Sequence, residues 1–238
     1  MSGGMLNLNQ AAQHVHLSPA ELKHAAQRGE LEAQERAGGE WYFDHRALDE
    51  WAQRNLLASS EKSLKEQHRV MMDEHRREAK KNWGVCELIS AETIDLAVQA
   101  KAKAGLIRDM TDLADKSGKV YDCEALFREL VAREEAASTA IGHGVALLHP
   151  RFHDPYLFEE TFIAYGRAAR PIFFGAADGE GTRHFFLVCS TDHEMHLHIL
   201  ARLAILTHGT DLIERLDAAE GAGEALDIIN ECEAEYRK

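Results

Sequence analysis

Residues 138–151 read Ser-Thr-Ala-Ile-Gly-His-Gly-Val-Ala-Leu-Leu-His-Pro-Arg, and the interpretation of most of the chain starts from this stretch. Its apolar run, Val-Ala-Leu-Leu, has the length of a buried β-strand. Gly142 and Gly144 before the run permit a tight turn, and Pro150 after it ends the hydrogen-bond ladder. The pattern therefore predicts that His149 stands at the end of a buried strand. That position suits a nucleophile, a metal ligand or a base.

The overall composition restricts the class of protein. The 238 residues are 45% hydrophobic, as in ordinary folded proteins, and the net charge of −13 argues against affinity of the whole chain for DNA or a membrane surface. No apolar stretch approaches the roughly 20 residues that are needed to span a bilayer. Residues 1–5 lack the basic and apolar regions of a signal peptide. We therefore predict a cytoplasmic protein without a membrane partner.

Helical and strand patterns alternate over residues 84–238, which predicts an α/β layered domain. Helical spacing is found over residues 91–105 and 107–117, and strands are predicted over residues 162–165 and 184–189. Further helices are predicted to begin at these positions: Asp122, Asp192, Thr210 and Glu224.

Several motifs of this region occur together in a known family. They are Arg133-Glu134 and the segments 138–149, 174–179, 185–188 and 196–204. In content and order they resemble the enzyme IIA domain of the bacterial phosphotransferase system, of the fructose/mannitol type that includes the nitrogen-regulatory version. The resemblance covers nearly all of residues 85–236. It implies a mixed sheet flanked by helices, the mannitol-type enzyme IIA layered fold.

The resemblance also implies a phosphocarrier that works through a phosphohistidine intermediate. His149 would accept the phosphoryl group from an HPr-type phosphocarrier, because a neutral imidazole is a good nucleophile near neutral pH. Arg133 and His196 would bind and neutralise the phosphoryl oxygens. Further phosphate ligands are expected from Arg151 and from Ser138 and Thr139, although turn formation or capping is the alternative role for the last two.

Other kinds of site are less well supported by the sequence. His193, His196 and His198 lie close together, but the run His-Glu-Met-His is not the H-E-x-x-H pattern of a zinc helix. The four cysteines are widely spaced and form no C-x-x-C pair. We therefore predict neither a metal nor a cofactor. His143, between two glycines, is interpreted as a turn residue.

Residues 1–57 have a separate pattern of helix, turn, helix and hairpin. Ser18-Pro19, with Glu21, predicts a capped helix over residues 20–28, and residues 35–43, with Gly38-Gly39 inside them, predict a hairpin. Segments such as Leu8-Asn9-Gln10-Ala11-Ala12 resemble the excisionase-type winged helix-turn-helix family, related to the MerR-like group.

That second resemblance implies that the helix over residues 20–28 reads DNA. Lys23, His24 and Arg28 are then the candidate DNA-binding residues. The module has five Lys/Arg against eight Asp/Glu, which is the wrong sign for strong phosphate binding. DNA binding and docking to a regulatory target protein therefore stay open as alternatives.

Residues 58–83 contain neither proline nor glycine and are rich in charged residues, which predicts a linker helix. Leu57, Leu64 and Met71 recur at intervals of seven, so a homodimeric coiled coil is one interpretation and a solvated linker helix is the other. Four basic residues near its end could add to phosphate contact with DNA: Arg76, Arg77, Lys80 and Lys81.

Three functions remain open from the sequence. The first is a regulatory protein in which phosphorylation of His149 is coupled to DNA or partner binding. The second is a transport component that passes its phosphoryl group to an enzyme IIB domain. The third is a DNA-binding or interaction factor with a degenerate IIA fold. Leu148 favours the third, because the family usually has proline before its active histidine.

Overall fold

The structure is a computed structural model that describes residues 5–36, 38–58, 84–151 and 157–236. The chain divides into two compact units, Met1–Lys80 and Lys81–Lys238. The predicted linker helix over residues 58–83 lies, apart from Ala58, outside the described residues, as does the coiled coil. The predicted domain boundaries therefore stay predictions.

The first unit begins with strand β1 (Met5–Asn7), helix α1 (Leu8–His14) and helix α2 (Pro19–Gln27). Strands β2 (Gln34–Arg36) and β3 (Glu40–Asp44) form the predicted hairpin, and helix α3 (His45–Ala58) follows. The strand order is β1-β3-β2, with antiparallel pairing throughout.

Both early helices of this unit begin at capping boxes. At α1 the Asn7 side chain accepts from the backbone N–H of Gln10, and the Gln10 side chain accepts from the backbone N–H of Asn7. At α2 Ser18 and Glu21 exchange the same pair of hydrogen bonds. These bonds satisfy backbone donors that a helix start leaves unpaired. The capping box predicted at Ser18 is thus confirmed, with α2 beginning at Pro19.

The second unit begins with helix α4 (Val85–Leu88), strand β4 (Ile89–Val98), helix α5 (Lys103–Asp115) and helix α6 (Cys123–Ala136). Strands β5 (Ala140–Gly142), β6 (Val145–Leu148), β7 (Phe162–Ile172) and β8 (Thr182–Cys189) follow. The chain continues with helices α7 (His193–Gly209), α8 (Leu212–Ala218) and α9 (Ala222–Tyr236).

The sheet of this unit has the strand order β4-β7-β8-β6-β5 and is mixed. β4 is parallel to β7 and β6 is parallel to β8, whereas β7 with β8 and β5 with β6 are antiparallel. One apolar cluster joins α5 and α6 to alternate sheet residues, among them Ala146, Leu148 and Leu187. The mixed α/β fold predicted from the sequence is confirmed.

The helix predicted over residues 91–105 is wrong. Residues Ile89–Val98 form β4 at the edge of the sheet, and a helix begins only at Lys103. Ala, Glu and Leu in this segment favour a helix locally, but pairing with β7 buries Ile94 and Val98. The Thr93 hydroxyl also donates to the Ile163 carbonyl at 2.9 Å. Tertiary contacts therefore outweigh a weak local propensity here.

β6 is the strand predicted from the opening stretch, and all four of its residues are buried. It lies between β8 and β5, so both of its edges are paired. Since side chains alternate along a strand, Ala146 and Leu148 face the cluster with α5 and α6, and Leu147 and His149 face the other side, where α7 packs. No helix among the described residues is long and apolar enough to cross a membrane.

Candidate active site

The site is built around a contact between a helix and the end of a strand. Arg133 lies in the last turn of α6, and His149 directly follows β6. The Arg133 Nε–H donates to His149 Nε2 at 3.1 Å, and its Nη1 donates to the Ala137 carbonyl at 2.9 Å. Arg133 is 5% exposed and His149 is 0% exposed. The guanidinium is thus held between the helix end and the imidazole.

The hydrogen bonds of His149 assign its tautomer. Nδ1 lies 2.8 Å from the Leu147 carbonyl oxygen, which can only accept, so Nδ1 carries the hydrogen. Nε2 then has a lone pair, which accepts from Arg133. Since the guanidinium is always protonated, this arrangement suits a neutral imidazole. Nε2 is therefore the nitrogen with nucleophilic character.

His196 comes to the same place from a distant part of the chain. Asp192 caps α7 by accepting from the Met195 amide at 2.8 Å, which places His196 in the first turn. Its ring centroid lies 5.0 Å from that of His149, with the ring planes at 64°, and it is 1% exposed. The structure therefore brings Arg133, His149 and His196 together. An anion here would also lie near the start of a long helix, whose dipole favours negative charge.

Glu134, next to Arg133 in α6, is a buried residue for which no separate role was predicted from the sequence. One carboxylate oxygen accepts from Lys103 Nζ at 2.7 Å, and the other accepts from the backbone N–H and the hydroxyl of Thr139 at 2.9 and 2.7 Å. The side chain of Glu134 is 2% exposed. Adjacent residues of α6 thus contact His149 and the segment that leads into β5. The dipeptide Arg133-Glu134 was a usable signal, whereas Lys103 fell inside the wrongly predicted helix.

Ser138 and Thr139 have partners within the fold. The Ser138 hydroxyl donates to the Phe174 carbonyl at 2.9 Å and accepts from the Ala140 amide at 3.2 Å. Thr139 donates to Glu134. These contacts fit the turn-forming role that the sequence also allowed. A phosphate contact by either residue stays a prediction, as it does for Arg151, which is half-buried two residues after His149.

The glycine turn before β6 is closed by an aspartate. His143 has a φ of 51°, in the left-handed region, between Gly142 at 88° and Gly144 at 74°. Asp178 Oδ2 accepts from the His143 backbone N–H at 2.9 Å. The hydrogen bonds from the backbone N–H of Glu180 and, next, from that of His143 lower the pKa of Asp178. His143 is therefore a turn residue, as the sequence suggested.

The predicted DNA-binding residues lie on or directly after α2 of the first unit. Lys23 is half-buried, and His24 and Arg28 are exposed. Arg28 forms a forked ion pair with Glu30, with Nε–Oε1 and Nη2–Oε2 distances of 2.7 Å, and its Nη1 lies 2.6 Å from His24 Nδ1. The Glu30 carboxylate thus pairs with the Arg28 guanidinium, the group that is predicted to contact a DNA phosphate.

The second unit thus combines a mixed sheet, a buried histidine that directly follows a strand and accepts from an arginine, and a second buried histidine in the first turn of a long helix. Residues 87–232 match the family model for the phosphoenolpyruvate-dependent sugar phosphotransferase system, EIIA 2. The chain therefore belongs to the EIIA 2 family of that system. Residues 5–56 match a helix-turn-helix domain model. Both resemblances read from the sequence are confirmed.

Three known proteins illustrate the range of relatives. The fructose-specific EIIABC component of Bacillus subtilis (strain 168) is 30% identical over 149 residues, which are 62% of this chain but only 23% of that protein. A nitrogen regulatory protein of Bradyrhizobium diazoefficiens is 30% identical over 148 residues, which are 61% of this chain and 94% of that protein. The nitrogen regulatory protein IIA-Ntr from Neisseria meningitidis superposes with a TM-score of 0.56 at 24% identity and covers 61% of this chain and 98% of that chain.

Proposed function

We propose that this protein is a regulatory phosphocarrier in which His149 Nε2 accepts a phosphoryl group from an HPr-type phosphocarrier. One observation carries the proposal. Arg133 lies 3.1 Å from Nε2 while the Leu147 carbonyl holds the hydrogen on Nδ1. Nε2 therefore has a lone pair and lies beside the positively charged Arg133 guanidinium. Phosphoryl transfer needs both a nucleophile and charge neutralisation.

In the proposed transfer, one bond forms at His149 Nε2 and one bond to the donor breaks. The lone pair of His149 Nε2 forms a bond to phosphorus while the bond between phosphorus and the donor breaks, and the donor keeps that electron pair. Arg133 then releases Nε2 and turns its donors to the phosphoryl oxygens, for which the planar guanidinium is well shaped. His196 and the start of α7 stabilise the added negative charge.

The regulatory output is assigned to the helix-turn-helix unit. Phosphorylation adds about −1.5 to −2 charges, and in this proposal that change alters what the chain binds. The partner is DNA or a regulatory target protein, since the helix-turn-helix match supports DNA binding whereas the acidic balance of residues 1–57 supports a protein. The predicted cytoplasmic location belongs to the same proposal.

A phosphorelay tests the first step. The full chain is incubated with a phosphoenolpyruvate-driven relay that ends in an HPr-type carrier, and intact mass is measured at neutral pH. We expect one added phosphoryl group on the wild type and none on His149→Ala. His143→Asn is the matched control, because it removes a histidine six residues away and asparagine tolerates the left-handed turn. Equal absence of phosphate on wild type and His149→Ala would refute the proposal.

Transport is the second candidate, favoured by the likeness to a protein named as a fructose-specific EIIABC component. In that role the phosphorylated chain would pass its phosphoryl group to an enzyme IIB domain. Loss of the label from this chain with gain of label on a purified IIB domain would support it. A panel of IIB domains that all stay unlabelled would count against it and leave the regulatory role.

The DNA-binding step has its own test. Retention of promoter fragments that weakens with salt, and that falls in a Lys23→Ala/Arg28→Ala variant, would support the assignment to α2. Binding of DNA by a chain that takes no phosphoryl group would establish the third alternative, a DNA-binding factor with a degenerate IIA fold. Retention of a protein and of no DNA fragment would assign the unit to docking.

A further inference from the structure

A group of three potential metal ligands lies in the first unit, apart from the phosphoryl site. His14 is the last residue of α1, His45 is the first residue of α3, and Asp49 lies one turn further along α3. Their candidate ligand atoms all lie within 4.8 Å of one another. α1 follows β1 directly and α3 follows β3 directly, and these two strands pair, so the fold brings the two helices together.

Both imidazoles direct a nitrogen at the same carboxylate. His14 Nε2 lies 2.6 Å from Asp49 Oδ1, and His45 Nδ1 lies 3.3 Å from Asp49 Oδ2. The two rings have centroids 4.4 Å apart and are tilted by 46°. Ligand atoms around a tetrahedral zinc ion stand about 3.4 Å apart, given bonds of about 2.0–2.2 Å. The separations of the candidate ligand atoms, from 2.6 Å up to at most 4.8 Å, lie on either side of that spacing.

The burial of the three side chains also suits a metal. The side chain of Asp49 is 10% exposed, that of His14 is 21% exposed and that of His45 is 39% exposed. A divalent ion would be shielded from most of the solvent by these side chains, and the charge of the Asp49 carboxylate would favour its binding. The more open side at His45 leaves a path for an ion and for a water ligand.

We propose that His14, His45 and Asp49 form a binding site for a zinc-like divalent ion. Two imidazoles and one carboxylate are a ligand set that zinc accepts in sites with three protein ligands, and the fourth position is left to water. The bound ion joins the end of α1 to the start of α3, the two helices that stand on either side of α2 in the chain. It thereby stabilises the helix-turn-helix unit. The stability of the helix-turn-helix unit therefore depends on the bound ion, separately from phosphorylation of His149.

The sequence predicted no metal site, because the three residues do not form a closely spaced ligand motif. His45 and Asp49 show the spacing of one helical turn, but two residues at that spacing are common. His14 is separated from His45 by 30 residues, and only the pairing of β1 with β3 makes them neighbours.

Zinc titration of the full chain tests the site. Chain without an affinity tag is stripped with EDTA, titrated with zinc chloride by calorimetry, and melted with and without zinc. We expect one ion whose affinity falls at least about tenfold in His45→Gln and in Asp49→Asn, with loss of the zinc-induced rise in melting temperature. His24→Gln is the matched control and keeps both effects, because His24 is exposed on α2 and contacts Arg28.

Folding of the variants is checked by circular dichroism in EDTA. His45→Gln keeps the result interpretable, because His45 is partly exposed at the first helical position. The comparison between variants decides the outcome, because a signal from any other histidine would be the same in all of them. Equal zinc affinity and equal stabilisation in wild type, His45→Gln and Asp49→Asn would overturn the proposal, as would a wild type that binds no zinc.

Discussion

Arg133 Nε and His149 Nε2 lie 3.1 Å apart, although one residue ends a helix and the other ends a strand. The nitrogen that we propose as the phosphoryl acceptor is therefore in contact with the cation that we propose neutralises the phosphoryl group. The Arg133 side chain is held in place by a second hydrogen bond, which its Nη1 donates to the Ala137 carbonyl just after α6. The proposed acceptor and the proposed phosphate ligand are thus already in contact without a phosphoryl group.

Replacing Arg133 with lysine should slow phosphorylation by about tenfold to a hundredfold. Lysine keeps the charge, but an ammonium cannot present the planar set of donors that reaches His149 and Ala137 at once. The measurement is the initial rate of phosphoryl transfer from the HPr-type carrier. Arg108→Lys, which alters a surface pair with Glu124, is the control and should leave the rate unchanged. A normal rate in Arg133→Lys would mean that the guanidinium is not used.

Replacing Glu134 with glutamine should lower the free energy of unfolding by about 1–3 kcal/mol. The change removes a buried charge that pairs with Lys103 and accepts twice from Thr139. We place the effect below that of a fully buried pair because the Lys103 side chain is 39% exposed. Urea denaturation of the full chain measures it. Glu135→Gln, one residue along and exposed, should change stability little, and equal effects of the two changes would contradict the role given to Glu134.

His184 should make the larger unit lose stability on acidification. Its Nδ1 lies 2.8 Å from the Tyr165 hydroxyl and its Nε2 lies 3.2 Å from Asp217 Oδ1. Burial is the largest cause that lowers the pKa of His184 to about 4; Asp217 opposes this decrease, and the charges of Arg183 and Arg167 add to it. Because this pKa lies below the unfolded value of about 6.5, the unfolded chain binds more protons between these pH values.

Stability from this group is therefore complete above about pH 6.5 and is lost as the pH falls toward 4, by at most about 3 kcal/mol. Urea midpoints measured across this range should drop more steeply for the wild type than for His184→Gln. Glutamine keeps a donor and an acceptor but does not titrate. Parallel pH profiles for the two proteins would show that His184 does not contribute.

Replacing Glu30 with glutamine should strengthen DNA retention if α2 reads DNA. The change frees the Arg28 guanidinium from its forked ion pair and removes a negative charge close to the DNA phosphates. We expect a steeper salt dependence, by about one unit in the slope of log affinity against log salt. Fragment binding at several salt concentrations measures the slope. Glu32→Gln removes an equal charge outside that ion pair and should alter the slope less.

Much of the fold was predictable from local signals. Ser18, Asp122 and Asp192 cap helices where they were predicted to, and the run before His149 forms the predicted buried strand. These signals work because capping and turn formation depend on residues within a few positions of each other. β4 was missed because its conformation depends on pairing with β7, which lies about 70 residues away.

The site was predictable only as a set of residues. Arg133, His149 and His196 were named from the family resemblance, whereas their mutual distances, the burial of His149 and the hydrogen on Nδ1 come from the structure. Glu134 and Asp178 had been quoted in motifs without a role. The cluster of His14, His45 and Asp49 had no sequence signal beyond one pair at helical spacing.

The sequence by itself determined where the helices capped by Ser18, Asp122 and Asp192 begin, and that residues 138–151 contain a glycine turn and a buried strand followed by His149. Those features follow from local backbone geometry and from the burial of an apolar run. Only the tertiary structure decided that a helix end brings a guanidinium to Nε2 of His149, and that His196 lies beside it. Those contacts depend on how strands and helices far apart in the chain pack, and distance in sequence contains no information about that packing.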